Sequence, residues 1–269
     1  MKRRMFTIMS VAFAIVLVMS SCKKEKVTTQ SDDTPSGDGI IKNAVTDIDG
    51  NTYDAVKLGN QVWMAENLRT TRYADGTPIS LGRELSYEVA YHYYPADNSG
   101  NVGTYGYLYN WPAVMGNSSS SSANPSGVQG ICPTGWHVPS DAEWTQLTTY
   151  VKSQPEYVSE GCSGTDDEME TYCITKALSS TTGWDSSDEP CTPGNNPSAN
   201  NATGFSAVPT GNYEGEGDDG GVGHCMNFWT ATQYDSYHAY AHAWAGNESA
   251  VVRYGIKESY GFCVRCVRD

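Results

Sequence analysis

Beyond position 130 this chain carries seven cysteines, Cys132, Cys162, Cys173, Cys191, Cys225, Cys263 and Cys266, and no other feature limits its fold so tightly. Four of them lie along residues 153–225, a stretch rich in Gly, Ser, Asn, Pro and acid with one brief helical pattern at 174–179. Such a stretch buries little apolar surface, so covalent staples across long loops are the expected way to order it. Zinc is the competing use of cysteine. Cys263 and Cys266 have the spacing of half a zinc site, but no second cysteine pair or histidine pair accompanies them, and in a strand their side chains face opposite ways. Disulfides are therefore expected. Seven is odd, which allows at most three bridges and leaves one thiol over.

Disulfides persist outside the cytoplasm, and the N-terminus carries an export signal. Lys2, Arg3 and Arg4 precede residues 5–19, which are apolar except for Thr7 and Ser10. That run is too short to span a bilayer comfortably and has the length of a secretory signal. Ser20 and Ser21 come directly before Cys22, an arrangement that resembles the lipobox of bacterial lipoprotein signals. Residues 1–21 are thus expected to be removed, and Cys22 to be lipidated and inserted in the bilayer. Residues 22–39 read as the lipidated cysteine and a polar, flexible tether. Lys23 and Lys24 put no acid after Cys22, so the expected address is the outer membrane, facing either the periplasm or the cell surface.

Loss of the signal removes three basic residues and no acid, taking the net charge from −14 to −17. Such a surface argues against nucleic acid and against docking on anionic lipid, and it suits divalent cations or neutral sugars. Residues 40–269 are long enough for one domain with its own core. Seven Trp and 18 Tyr against 5 Phe is a polar-aromatic bias shared by secreted β-rich domains and carbohydrate binders.

Within 40–269, Asp49-Gly50 and Gly59-Asn60 mark two hairpin turns around strand residues Tyr53, Val56 and Leu58 and then Val62, Trp63 and Met64. The acidic run from Asp47 to Asn51 resembles part of a calcium loop but lacks the later bidentate Glu, so a turn is expected. Residues 105–115 have the spacing of a short helix, with Pro112 early in it or interrupting it, and 116–130 read as a surface loop. In GWHVPSDAEWTQLTTYV, Ser140 and Glu143 form a capping box, and Trp144, Leu147 and Val151 follow at helical spacing. Glu143 is accordingly read as structural rather than as a catalytic acid. Residues 228–233, 238–246, 250–256 and 261–269 alternate like antiparallel strands.

Five stretches occur in one order: DIDGNTYDAVKLGNQVWMAENLRTTRYADGTPI, YGYLYNWPAVM, GICPTGWHVPSDAEWTQL, FWTAT and the terminal GFCVRCVRD. Together, over roughly residues 45–269, they resemble the Fibrobacter succinogenes major paralogous domain, found in exported proteins. That resemblance carries no general activity with it. HVPSDAEW with the terminal GF and RC residues is also similar, more distantly, to the formylglycine-generating (sulfatase-modifying) fold and its C-type lectin-like relatives. The implied architecture is α+β: a C-type lectin-like fold of mixed antiparallel sheets, two or three short helices and long disulfide-stapled loops. It implies that Cys132 pairs with Cys266; Cys225 with Cys263 and Cys162 with Cys173 are the expected further bridges.

The relatives that act as oxidases need two copper-binding cysteines before the last strand, and residues 238–260 contain none. The five histidines, His92, His137, His224, His238 and His242, form no HExxH-like pattern, and His238 and His242 are read as surface residues. The lectin triplets that chelate sugar through calcium are also absent. The chain is therefore read as a non-enzymatic binding module for glycan or protein, with a structural or adhesive scaffold as the alternative. Tyr91, Tyr93, Tyr94 and Trp184 are the candidate stacking residues for a ligand. No cofactor is assigned outright; Ca2+ is the ion that Asp166, Asp167 and Glu168, or Glu214, Glu216, Asp218 and Asp219, would take.

Overall fold

Alternating apolar residues build the first layer. In the computed structural model, which describes residues 39–159, 162, 173–216 and 220–269, strands β1 (Ile40–Thr46), β2 (Thr52–Leu58) and β3 (Gln61–Met64) run antiparallel in sequence order. The signal, Cys22, the tether up to residue 38, and Asp166, Asp167, Glu168, Asp218 and Asp219 lie outside the described residues. The first turn closes on Asp47, whose carboxylate accepts from the Asp49 and Asn51 amides, the Asn51 side chain and the Tyr53 hydroxyl. Asp49 is filled likewise, by Thr70, Thr71 and Arg72. This acidic run is a turn, and protein donors use its oxygens.

Next come β4 (Ser80–Leu81) and β5 (Tyr91–Tyr93), which pair in parallel, then α1 (Val102–Tyr105) and β6 (Leu108–Tyr109), antiparallel to β5. Helix α2 (Trp111–Met115) follows directly, capped by the Asn110 side chain and with Pro112 in its first turn. The expected helix over 105–115 is thus half strand and half helix. The reason is local: proline lacks an amide donor, so it sits where a helix begins, and Leu108 and Tyr109 pair with β5 before that start. Strand β7 (Trp136–His137) leads into α3 (Asp141–Ser153), where the Ser140–Glu143 capping box forms and Trp144, Leu147 and Val151 are buried. A single turn, α4 (Thr175–Leu178), precedes the three-stranded antiparallel sheet of β8 (Cys225–Gln233), β9 (His238–Ala245) and β10 (Val252–Lys257).

The chain end departs from the expected long strand. Only β11 (Val267–Arg268) joins a sheet, between β3 and β7 in the order β1-β2-β3-β11-β7. The preceding residues instead make single bridges to several elements: Gly261 to Tyr213, Phe262 to Tyr109 and Cys263 to Phe228. Val264 and Cys266 accept the amides of Leu68 and Met64. The architecture is α+β, with antiparallel sheets, short helices and disulfides. No helix among the described residues is long and apolar enough to cross a membrane.

Cys132 bonds to Cys266 and closes a loop of 134 residues in sequence. Such a loop contributes about 4–5 kcal/mol where chain entropy dominates. The second bridge joins Cys162 to Cys191, not to Cys173. Cys173 is a buried thiol in left-handed backbone, tied by its amide to Ser249. Cys225 and Cys263 are not joined either. Cys263 lies beside Asn227 and Phe228, three residues along β8 from Cys225, and its buried sulfur accepts from Asn67 Nδ2 at 3.4 Å. Burial pushes the Cys263 thiol pKa up to about 12. Two bridges, rather than three, therefore form among the described residues.

Next to Cys266 in the chain lies Arg265, only 1% exposed. Its guanidinium donates to Asn67 Oδ1 at 2.9 Å, to the carbonyl of Ser206 at 2.8 Å and to that of Phe205, and it lies 4.3 Å from the centroid of the Phe205 ring. None of these partners is a carboxylate, and burial lowers its pKa. Dipoles and aromatic faces make the direct contacts to the charge, and the Glu66 carboxylate acts on it from further off. Arg265→Met keeps the length but strips the donors from three buried acceptors, at about 1–3 kcal/mol each, partly offset by removing a desolvated charge. We expect the urea midpoint to report a loss of about 3 kcal/mol; an unchanged midpoint would show that Arg265 is dispensable.

Candidate ligand cleft

Three loops converge on one face of the β4–β5–β6 sheet. The first follows β4, where Gly82 donates its amide to His92. A Cβ at Gly82 would run into the rings of Tyr91 and Tyr93, so only glycine lets this backbone lie flat on the sheet. The second is the Pro95–Asp97 turn, in which Ala96 and Asp97 both take left-handed backbone with φ of 50°. Non-glycine residues pay on the order of 1 kcal/mol each for that conformation, and the Asn101 side chain, bonded to the Pro95 carbonyl, helps hold it. The third runs from Gly211 to Gly220. A side chain at Gly211 would overlap the Gly220 carbonyl, which instead accepts the Asn212 amide.

Tyr213, on this third loop, forms the floor. Its amide and carbonyl pair with Gly261 at 2.9 and 2.8 Å, and its ring stacks on Tyr93 with centroids 4.0 Å apart. Above it opens a cleft of about 270 Å³ lined by Leu81, Gly82, Arg83, Tyr94, Asp97, Tyr213 and Glu216. Arg83, Asp97 and Glu216 are exposed, and no side-chain hydrogen bond or ion pair ties any of the three to another described residue. Burial raises the Tyr213 phenol pKa, and the charges of Asp97 and Glu216 raise it further, so both carboxylates act on that hydroxyl.

Of the residues singled out in the sequence, Tyr94 and Glu216 line this cleft. Tyr93 does not reach it; at 1% exposed, it lies beneath Tyr213. Tyr91 is half-buried and bonds Glu84 through its hydroxyl. Trp184 is 8% exposed, donates its ring N–H to Ser180 and packs against Gly246, so it offers no open face for stacking. Glu214 is exposed and accepts from Asn212. Arg83, Asp97 and Tyr213 were missed, and the glycines flanking Tyr213 were the only local hint of a tight loop there. Among the described residues, no cluster of three or more His, Cys, Asp or Glu side chains is placed to hold a metal ion.

Two buried histidines lie elsewhere. His137 binds Glu143 Oε1 through Nε2 and Asp269 Oδ1 through Nδ1, both at 2.7 Å. The other Glu143 oxygen accepts the amides of Ser126 and Ser140. This looks like part of a catalytic relay, yet both ring nitrogens are spent and Glu143 is occupied as a cap. His242, expected at the surface, is buried: it stacks on Trp144 and bonds Asp141, which also pairs with Arg253. Its side chain points inward because β9 packs against α3. Burial lowers the His242 pKa, while Asp141, despite its own burial, is held down to about 2 by the His242 and Arg253 bonds.

The family model of the Fibrobacter succinogenes major domain matches residues 56–268, most of the chain. The chain belongs to that family. The match takes in the cleft loops, both bridges, α3 and Arg265. No curated protein and no solved structure matches it.

Burial opposes the charge on His137, but its bonds to Glu143 and Asp269 outweigh burial and raise the pKa above its ordinary value. Its contribution to stability is therefore complete below the unfolded value of about 6.5 and is lost as pH rises through the folded one. Relative to His137→Gln, the wild-type chain should show its largest stability advantage below the unfolded value of about 6.5, shrinking as pH rises above it in urea titrations. An advantage that grows with pH would contradict the assignment.

Proposed function

We propose that the mature chain is a lipid-anchored, non-enzymatic binding module of the outer membrane, built on a C-type lectin-like core, and that it engages its ligand at the Tyr94–Tyr213 cleft. The lectin-like reading rests on the capped helix α3 and on a disulfide running from just before that helix to the last strand. The anchor rests on the apolar run that ends at Cys22. The observation that carries the binding reading is the cleft, with three charged side chains that have no side-chain partner among the described residues and four large apolar residues exposed at and after β4, Leu81, Leu85, Tyr87 and Val89. A patch of that kind on a soluble face is costly unless something covers it.

Polypeptide is the better-supported ligand class. With Tyr93 and Trp184 buried, Tyr94 is the half-exposed ring that lines the cleft, and the exposed residues beside it are aliphatic (Leu81, Leu85, Val89) as well as aromatic (Tyr87). The full chain, offered both a random peptide display library and a glycan array with and without calcium, should enrich peptides. A Leu81→Asp, Tyr94→Ala double variant should lose them. Calcium-dependent glycan capture without peptide enrichment would favour the lectin reading, and retention of neither class would leave a structural scaffold. Cys22→Ala should move the chain from the membrane fraction to the soluble one; continued membrane association would exclude lipid as the anchor.

A further inference from the structure

We propose that the cleft is an anchor pocket for one basic side chain, lysine or arginine, of a polypeptide partner, with its apolar rim sealing the contact. The inference rests on the binding reading above and adds the chemistry of the group that enters.

Asp97 and Glu216 supply two carboxylates with no side-chain partners among the described residues, both lining the cleft with Tyr213 and both acting on its hydroxyl, and Tyr94 adds a half-exposed ring. An ammonium or guanidinium offers donors to both carboxylates and a charge to the ring face. The single competing cation, Arg83, is exposed and forms no ion pair with either acid, so the acids remain open to a ligand. A volume of about 270 Å³ falls just under the usual range of about 300–1,000 Å³ for small-molecule pockets and suits one long side chain. The mature charge of −17 draws basic partners and repels acidic ones.

The backbone that presents Asp97 is in left-handed conformation at two successive residues, and the Asn101 side chain holds the turn through the Pro95 carbonyl. The rim is equally fixed. Asn110 holds the Ser86 and Val89 carbonyls, the Ser86 hydroxyl accepts the Glu88 and Val89 amides, and the Tyr93 hydroxyl holds the Glu84 carbonyl. With its backbone tied down, this loop turns Leu85, Tyr87 and Val89 outward, and Tyr87 meets Tyr237 edge to face at 5.9 Å. Leu81 lines the cleft and the other three lie along the adjoining loop, an apolar margin beside the carboxylates of the kind that limits water access to a paired charge at a protein interface.

The test uses the peptides that the full chain enriches from the display library. We expect a lysine or arginine enriched at one position. Binding of the synthesised peptide should weaken at least about tenfold when that residue is replaced by glutamine, and similarly in the chain variant Asp97→Asn, Glu216→Gln. Asparagine tolerates left-handed backbone well, so this variant preserves the turn. Glu214→Gln removes an acid outside the cleft and should change binding by less than about twofold. Enriched peptides without a basic position, or binding indifferent to the double variant, would overturn the anchor while leaving the binding module intact. Equal weakening by Glu214→Gln would reduce the effect to general acidity and overturn it as well. Failure to enrich any peptide would overturn the anchor, and the binding reading would fall with it only if the glycan array also retained nothing.

Discussion

The structure depends on one buried charge near the end of the chain. Arg265 sits among the carbonyls of Phe205 and Ser206, the side chain of Asn67 and the rings of Phe205 and Phe228, with no carboxylate in direct contact. Such a residue is stable only if several distant segments arrive together, because its desolvation is offset by fixed dipoles and not by a mobile counter-ion. The residues on either side of it carry the same logic. Cys266 is bonded to Cys132, Val267 pairs with both β3 and β7, and Cys263 takes its place beside β8. The last eight residues therefore act as a seam between all three sheets.

Around this seam several charged groups are taken up by protein partners. Glu143 caps α3, binds His137 and takes the Ser126 amide. Asp141 holds His242 and Arg253, and Asp47 fills its own turn. These acids and histidines look like chemistry when read singly, and each is occupied by protein. The contrast with Arg83, Asp97 and Glu216 gives the cleft its meaning: charged side chains line it with no side-chain partner among the described residues.

Much of the framework was legible before any coordinates. The turns at Gly50 and Gly59, the Ser140 cap and the buried face of α3 are local properties, set within a few residues by backbone geometry and apolar spacing. The bridge from Cys132 to Cys266 came from family resemblance. The remaining pairings were misread because loops of this composition carry no periodicity from which their path can be followed, so that Cys191, and not Cys173, reaches Cys162. His242 was taken for a surface residue because alternation along β9 tells which side chains share a face and not that α3 covers that face.

The sequence by itself determined the acidic charge, the capped helix and the strand-forming segments, since each depends on composition or on neighbours in the chain. Tertiary structure alone decided which cysteines meet, which tyrosines stay open and where a ligand can enter. Arg83, Asp97, Tyr213 and Glu216 are up to 133 positions apart in the chain and line one cleft. Their meeting depends on Gly82, Gly211 and Gly261 letting backbones approach closely across the sheet. Close approach between distant strands is a property of the packed molecule, and no run of residues in the chain encodes it locally.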